Sequence, residues 1–325
     1  MQSKIQGGDA GDFIPRRVVS LQPSVTVIFE RLGLLDRLVA CTKYCLDLCP
    51  GLTMDRRGGG SSHPASPGDG AAGSEAAGED SGGDGSRLIV ADSWTASSQQ
   101  ILRCRPDLVI ASVPYQVEAV AEIMRAGITF LGFAPHSMAD IYNDIFRLAS
   151  LMGCPGKGAS LIAGMRRHIA EVSARSAQAA LRPLVYCEEW GKPLIHSQPW
   201  VAELVESAGG RFLGPAGQQT DAGTIRAANP QVIIAAWCGA GERVPLAKII
   251  RDRGWGETTA AKHGAVFCVR DDFLNTPAPT LLHGLDALAC AIHPEIFGDA
   301  AGGLRKIAPA NASPAVSSHP AGQPG

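Results

Sequence analysis

The sequence predicts an α/β protein built from two Rossmann-like lobes with parallel sheets, joined by one long backbone helix. Three observations lead there. Short apolar runs alternate with stretches of helical period, the order that builds parallel sheets. One pattern occurs twice: a loop aromatic, a short helical stretch, a Pro-Asp or Pro-Gln turn, then an apolar strand. It runs from Trp94 through Arg105-Pro106-Asp107 to Leu108-Val109-Ile110-Ala111. It returns from Trp190 and Trp200 through Asn229-Pro230-Gln231 to Val232-Ile233-Ile234-Ala235-Ala236-Trp237. Between the copies, a stretch from Pro155 to about Ala180 reads as a single stiff helix.

The elements follow in order. Arg17-Val18-Val19-Ser20-Leu21 is a buried strand. Pro23 opens a helix with Ser24 as the expected N-cap, Val27, Ile28 and Leu32 on one face, and Gly33 as its stop. Leu38 to Thr42 is a second strand. From Gly51 to Ser86 the residues are mostly Gly, Ser, Ala, Asp and Pro, too poor in apolar surface to offset ordering entropy, so a disordered insertion is expected. Leu108 to Ala111 is a strand, Val117 to Ala126 a helix, and Thr129 to Phe133 a strand. Met138 to Met152 is a helix with Ile141, Ile145, Leu148 and Met152 at helical spacing. In the long helix, Leu161, Met165, Ile169 and Val172 form the expected stripe, and Arg182-Pro183 stops it.

The second lobe repeats the theme. Its strands are Leu184 to Cys187, Val232 to Ala236 and Ala265 to Val269. Its helices are Trp200 to Ala208, stopped by Gly209-Gly210, then Leu246 to Arg253, and Thr280 to Ile292. The predicted organisation is a disordered N-terminus at 1–14, a first lobe at 15–153, a linking helix at 154–181, a second lobe at 182–298 and a disordered tail at 299–325.

Bulk properties exclude several classes of function. The 325 residues, 45% of them hydrophobic, suffice for two cores. A net charge of −2 offers no field that would recruit nucleic acid. Nine scattered cysteines, an odd number in a chain too large to need disulfide staples, point to a reducing compartment. The first ten residues hold no apolar stretch of a secretory signal. The sequence as it stands therefore predicts a cytoplasmic protein, and a periplasmic one if the true N-terminus is missing. A monomer is expected.

Open parallel sheets bind ligands at the carboxyl ends of their strands. The loops after Leu21, Thr42, Cys187, Trp237 and Val269 are therefore the candidate ligand wall. Trp94, Trp190, Trp200 and Trp237 fall on such loops, where each can bury a large area at modest entropic loss. Only Trp255 does not. Tyr44 and Cys45 sit in the loop after Thr42. Cys238 sits in the corresponding loop of the other lobe, so two soft thiols could approach one metal centre from two sides. Cys41, Cys45 and Cys49, spaced by four, run into Pro50, which argues against a regular helix, and zinc or iron–sulfur sites favour closer pairs. His196, between two tryptophans, reads either as a surface loop residue or as a cap on a metal or a carboxamide. His136, His283 and His293 read as structural. Asp271-Asp272-Phe273-Leu274-Asn275-Thr276-Pro277 follows a strand, with Phe273 as a stacking surface and Asp272 as an acceptor. Glu188-Glu189 could act as a general acid/base pair, without a nucleophile at a recognisable spacing. No phosphate loop, nucleophile elbow, zinc-protease motif or dinucleotide fingerprint is present.

Together, Arg17 to Thr26, Arg105-Pro106-Asp107-Leu108-Val109, Ala208-Gly209-Gly210 and the final Pro-rich loop and helix resemble the helical-backbone (class III) substrate-binding proteins of ABC transporters, over about residues 15 to 298. Glu189-Trp190 through Trp200-Val201-Ala202-Glu203-Leu204, and Leu274 to Pro294, look most like the vitamin B12-binding branch. The resemblance implies non-catalytic binding of a cobalamin-like corrinoid in a cleft between lobes, with Trp94 and Asp272 at the places of a corrin-contacting Trp and Asp. It also implies an ABC permease as partner. That partner is weakened here, because Gln99 and about Gly223 stand where docking glutamates are expected. A cytosolic corrinoid carrier or scavenger fits these departures. The ligand-binding set is thus Tyr44, Cys45, Trp94, Trp190, His196, Trp200, Trp237, Cys238, Asp272 and Phe273, with Cys45 and Cys238 toward the cobalt. Heme or a ferric siderophore on the same fold is the runner-up, disfavoured because only Arg243 and Arg270 lie near the predicted wall. The remaining alternatives are an enzyme acting on a tetrapyrrole through Glu188, Glu189 or a cysteine, and a metal or redox sensor built on Cys41, Cys45 and Cys49.

Overall fold

The computed structural model describes residues 14–49, 51–52, 87–91, 97–113, 116–298 and 301–308. Trp94, most of the predicted insertion, and the tail beyond Ala308 lie outside the described residues. The chain divides into two compact units. Residues up to Met165, with Pro277–Pro279, form the first; Arg166–Thr276 and the residues from Thr280 on form the second.

The first unit alternates strand and helix: β1 (Val18–Ser20), α1 (Pro23–Leu32), a 3-10 turn (Leu35–Arg37), β2 (Leu38–Thr42), α2 (Lys43–Leu48), β3 (Leu88–Val90), α3 (Ser98–Arg103), β4 (Leu108–Ser112), α4 (Val117–Arg125), β5 (Phe130–Phe133) and α5 (Met138–Leu151). Its sheet has the order β3-β2-β1-β4-β5 and is parallel throughout. Central strands buried on both faces need continuous apolar runs, and Val19, Ala40, Val109 and Ala111 form the core with Leu21, Ile101 and Ile123. The helix α1 begins one residue before the expected cap. Gln22 is its N-cap, Ser24 is buried inside it, and Gly33, at φ 69°, closes it. Lys43–Leu48 is a helix after all, so the expectation of a loop through Cys45 fails; Pro50 lies beyond the helix end at Leu48 and does not oppose it.

The helix α6 (Pro155–Ser176) carries the chain onward. Its buried apolar positions are Ile162, Met165 and Val172, so the predicted stripe is displaced by one residue at its start.

The second unit contains β6 (Leu184–Gly191), β7 (Leu194–His196), α7 (Pro199–Ser207), β8 (Arg211–Phe212), β9 (Gln219–Thr220), α8 (Ala222–Ala228), β10 (Val232–Ala235), α9 (Leu246–Asp252), α10 (Thr259–Lys262), β11 (Val266–Val269), α11 (Asp271–Asn275), α12 (Leu281–Ile292), α13 (Pro294–Phe297) and β12 (Leu304–Lys306). Its sheet runs β12-β11-β10-β6-β7-β9, with β8 beside β6. The pairs β6–β8, β6–β10 and β10–β11 are parallel. The pairs β6–β7, β7–β9 and β11–β12 are antiparallel, so the expected all-parallel sheet is a mixed one. Two signals were missed. The strand β6 continues past Cys187 to Gly191 and turns back at Lys192-Pro193 into β7. Leu304–Lys306, inside the predicted disordered tail, instead pairs with the sheet edge.

The repeated turn has a physical reason. Asp107 accepts the backbone N–H groups of Arg16 (2.7 Å) and Arg17 (3.0 Å), just before β1. Gln231 does the same for the N–H of Leu184 at the start of β6 (2.6 Å). In each unit the residue after the proline ties the entry of one strand to that of its parallel neighbour, satisfying a donor that would otherwise be orphaned. The core of the second unit gathers Tyr186, Ile225, Ile233, Trp255, Val266 and Cys268. No helix of the described residues is long and apolar enough to cross a membrane.

Candidate binding wall of the second unit

Side chains alternate along a strand, and on β6 this separates Glu188 from Glu189. Glu188 is buried, and its carboxylate accepts three hydrogen bonds: from the Tyr186 hydroxyl (2.7 Å), from Trp237 Nε1 (2.7 Å) and from Arg253 Nη1 (2.6 Å). The ion pair with Arg253 is desolvated, the two side chains being 2% and 12% exposed. The Arg253 guanidinium also lies 5.8 Å from the centre of the Trp237 ring and 4.9 Å from that of Trp255, within cation–π range. Burial pushes the Tyr186 phenol well above its ordinary range, and the neighbouring Glu188 charge adds to this. Glu188 therefore holds the Trp237 indole in place.

Trp237 packs against the end of β6. A Cβ on Gly191 would come 2.5 Å from Trp237 Cζ2, so the ring occupies the space a side chain would need. The loop behind it is pinned from α11. Asp271 accepts the N–H groups of Gly239 (2.7 Å) and Gly241 (2.8 Å). Asn275 Nδ2 donates to the carbonyl of Ala236 (2.8 Å) and to Cys238 Sγ (3.2 Å). The buried Asn275 Oδ1 has no partner.

On the other face of β6, Glu189 accepts Gln198 Nε2 at 2.6 Å and faces Cys238 Sγ at 3.7 Å. Desolvation raises its carboxyl above the usual range. Cys238 is exposed as a residue, but its sulfur is turned into this group. Desolvation of the sulfur, then the Glu189 and Asp271 charges, push the thiol up to about 12. Trp190 stands 44% exposed, with its Nε1 donating to the Lys192 carbonyl (2.8 Å), an apolar face held open to solvent. Trp190, Trp237, Cys238, Glu189 and Asn275 thus share the carboxyl end of β6 and β10.

Several predicted residues lie elsewhere. Trp200 is buried on α7 and its Nε1 donates to the Leu274 carbonyl (2.8 Å); the amphipathic period of the helix turns it into the core, not onto the wall. His196 is neither a surface loop residue nor a ligand cap. It is a buried residue of β7, 5.3 Å edge-on to Tyr186, and burial lowers its pKa, favouring the neutral ring. Asp272 is not a free acceptor, since Arg270 takes both its oxygens, at 3.0 and 2.7 Å. Phe273, half-buried, lies under the Arg270 guanidinium (5.0 Å) and beside His283 (5.2 Å). In the first unit, Tyr44 is 44% exposed with Lys43 Nζ over its ring, whereas Cys45 is fully buried and cannot reach a ligand's metal. His293 is buried between Glu295 (3.0 Å) and the Gly209 carbonyl (3.3 Å). Among the described residues no three His, Cys, Asp or Glu side chains are grouped to hold a metal ion. The residue that sequence reasoning missed altogether is Arg253. Its partner is 65 positions away, and no local pattern announces it.

The first unit is a parallel sheet and the second a mixed one, with Trp190 and Trp237 at the carboxyl ends of β6 and β10. The model of the periplasmic binding protein family matches residues 60–273, and the chain belongs to that family. It is 23% identical to an uncharacterized ABC transporter substrate-binding lipoprotein of Bacillus subtilis, YvrC, over 87% of this chain and 82% of that one. It is 22% identical to the vitamin B12-binding protein of Vibrio cholerae, over 85% of this chain and 89% of that one. The crystal structure of a periplasmic heme binding protein from Pseudomonas aeruginosa shares the fold, with a TM-score of 0.72 at 16% identity, covering 91% of this chain and 99% of that one.

Proposed function

We propose that the protein reversibly binds a cobalamin-like corrinoid, without transforming it, on a surface that includes Trp190 and Trp237. The observation that carries this reading is the engagement of the arginines at the wall. Arg253 is held by Glu188, Arg270 by Asp272, and Arg243 folds back onto the carbonyls of Ala240 (3.2 Å) and Gly239 (3.3 Å). Heme propionates and ferric siderophores are anionic and call for guanidinium groups aimed at the ligand. A corrin is a large, partly apolar ring whose periphery carries neutral amides. The exposed Trp190 face offers it a platform, and Glu189 offers an acceptor for amide N–H groups. The kinship with a vitamin B12-binding protein supports the same ligand class. The hydrogen bonds that already occupy Glu188 and Glu189 speak for binding over acid/base chemistry. Gln99 on α3 and Gly223 on α8 are exposed and bring no carboxylate, so a permease would find both docking charges missing.

The test is co-elution of the purified chain with hydroxocobalamin in gel filtration, with hemin and a ferric catecholate in parallel, and mass spectrometry of the recovered ligand. Stoichiometric co-elution of unchanged hydroxocobalamin is expected. Retention of hemin alone moves the assignment to heme, and recovery of an altered ligand moves it to an enzyme.

A further inference from the structure

A groove on the flank of the second unit shares no residue with the wall. It is lined from α9 and the loop before it, and from the edge strand β12 and the residues after it. Its volume is about 440 Å³, within the range of small-molecule sites. Nine residues line it, six of them apolar and the other three Lys248, Arg251 and Arg305, with no acid among them. The bed is fixed before any ligand arrives. Val244 and Leu246 belong to the buried core of the unit, and Ile307 packs against it. Arg305 ties the wall together, its Nε donating to the Glu242 carbonyl (2.8 Å) and its Nη2 to the Val244 carbonyl (2.5 Å). Those acceptors are neutral. Among the described residues neither Arg305 nor Lys248 has an ion-pair partner. Arg251 pairs only with its neighbour Asp252 (3.0 Å), and its side chain is 73% exposed.

We propose that this groove binds a medium-chain aliphatic carboxylate, its chain along the apolar bed and its head group on Lys248 and Arg251. The charge pattern carries the assignment. An apolar bed rimmed by cations and free of acids is complementary to a molecule with an apolar body and one anionic end. Each methylene that leaves water adds to affinity, and charge-assisted hydrogen bonds fix the head group. The size points to a small molecule, since a stable protein interface takes about 20–30 residues a side. The site is independent of the corrinoid reading, because neither Trp190 nor Trp237 lines it.

The full chain is titrated calorimetrically with octanoate at low salt, below its micelle range, beside hexanoate, 1-octanol and octylammonium. One octanoate per chain is expected, bound roughly tenfold more tightly than hexanoate. 1-Octanol and octylammonium should bind at least roughly tenfold more weakly than octanoate. The double variant Lys248→Gln with Arg251→Gln alters only exposed side chains. It should bind octanoate roughly tenfold more weakly with unchanged circular dichroism. Ala247→Phe keeps every charge and fills part of the groove, so it should weaken binding as well, whereas Trp190→Ala should leave it unchanged. Octanoate that does not bind, that is matched by 1-octanol, or that binds the double variant or Ala247→Phe as tightly as the parent would overturn the proposal. So would loss of binding in Trp190→Ala, which would put the acid on the wall instead.

Discussion

Replacing Arg253 by Met removes the guanidinium that faces buried Glu188 while keeping most of the packing volume against Trp237 and Trp255. At such a separation the gross attraction is roughly 5 kcal/mol for an effective dielectric of about 20. Desolvation of the two ions offsets most of it, so the intact pair is near neutral relative to an apolar core. The variant is different, because it strands a carboxylate that is 2% exposed on two neutral donors. Breaking a buried pair from one side costs about 3–5 kcal/mol, a large part of a total stability of about 5–15 kcal/mol. With a urea slope of about 2–3 kcal/mol per molar, the midpoint of the second unit should fall by about 1–2 M, read from tryptophan fluorescence. One control sharpens the outcome. The double variant Arg253→Met with Glu188→Met should recover most of the loss, since neither charge is left unpaired. An Arg253→Met chain within 1 kcal/mol of the parent, with no gain from the double variant, would refute the reasoning.

Trp190→Ala should leave stability within about 0.5 kcal/mol, as befits an exposed side chain, while weakening hydroxocobalamin binding roughly tenfold, measured by equilibrium dialysis. In Gly191→Ala the new methyl must displace the Trp237 ring; a loss of about 1–3 kcal/mol is expected, with a changed near-ultraviolet circular dichroism and weaker ligand binding. Asp144 on α5 is buried beside Arg147 (3.1 Å), and burial outweighs that partner, raising its carboxyl to about 6 from 3.8. A raised pKa means that the protonated form favours folding. The stabilisation is full below 3.8 and is lost as pH rises through about 6. Asp144→Asn should accordingly be more stable than the parent at pH 7, by up to about 3 kcal/mol, and the difference should vanish toward pH 4 in thermal melts.

Much of the architecture was legible because the physics behind it is local. Apolar runs long enough to be buried on both faces gave β1, β2, β4, β10 and β11, and glycines and prolines marked helix ends at Gly33 and Gly209-Gly210. The recurrence of Pro-Asp and Pro-Gln was legible too, since Asp107 and Gln231 do one job in both units. Short strands such as β8, β9 and β12 carry two or three residues and no periodicity, and they exist only because a neighbouring strand supplies their hydrogen bonds. The helix α2 was misread because Pro50 was counted against a helix that stops two residues earlier.

The wall was legible in outline and wrong in detail for one reason. Which loops emerge at the carboxyl ends of strands follows from chain order, and that placed Trp190, Trp237 and Cys238 together. Whether a given side chain faces solvent or core depends on partners far away in sequence. Trp200 finds the Leu274 carbonyl, Asp272 finds Arg270, His196 meets Tyr186 edge-on, and Glu188 finds Arg253. Residue types and their spacing thus determined the fold class and the family, and which loops leave the carboxyl ends of strands. The tertiary structure alone decided which polar groups are already satisfied, because a hydrogen bond across 65 positions leaves no trace in either segment by itself.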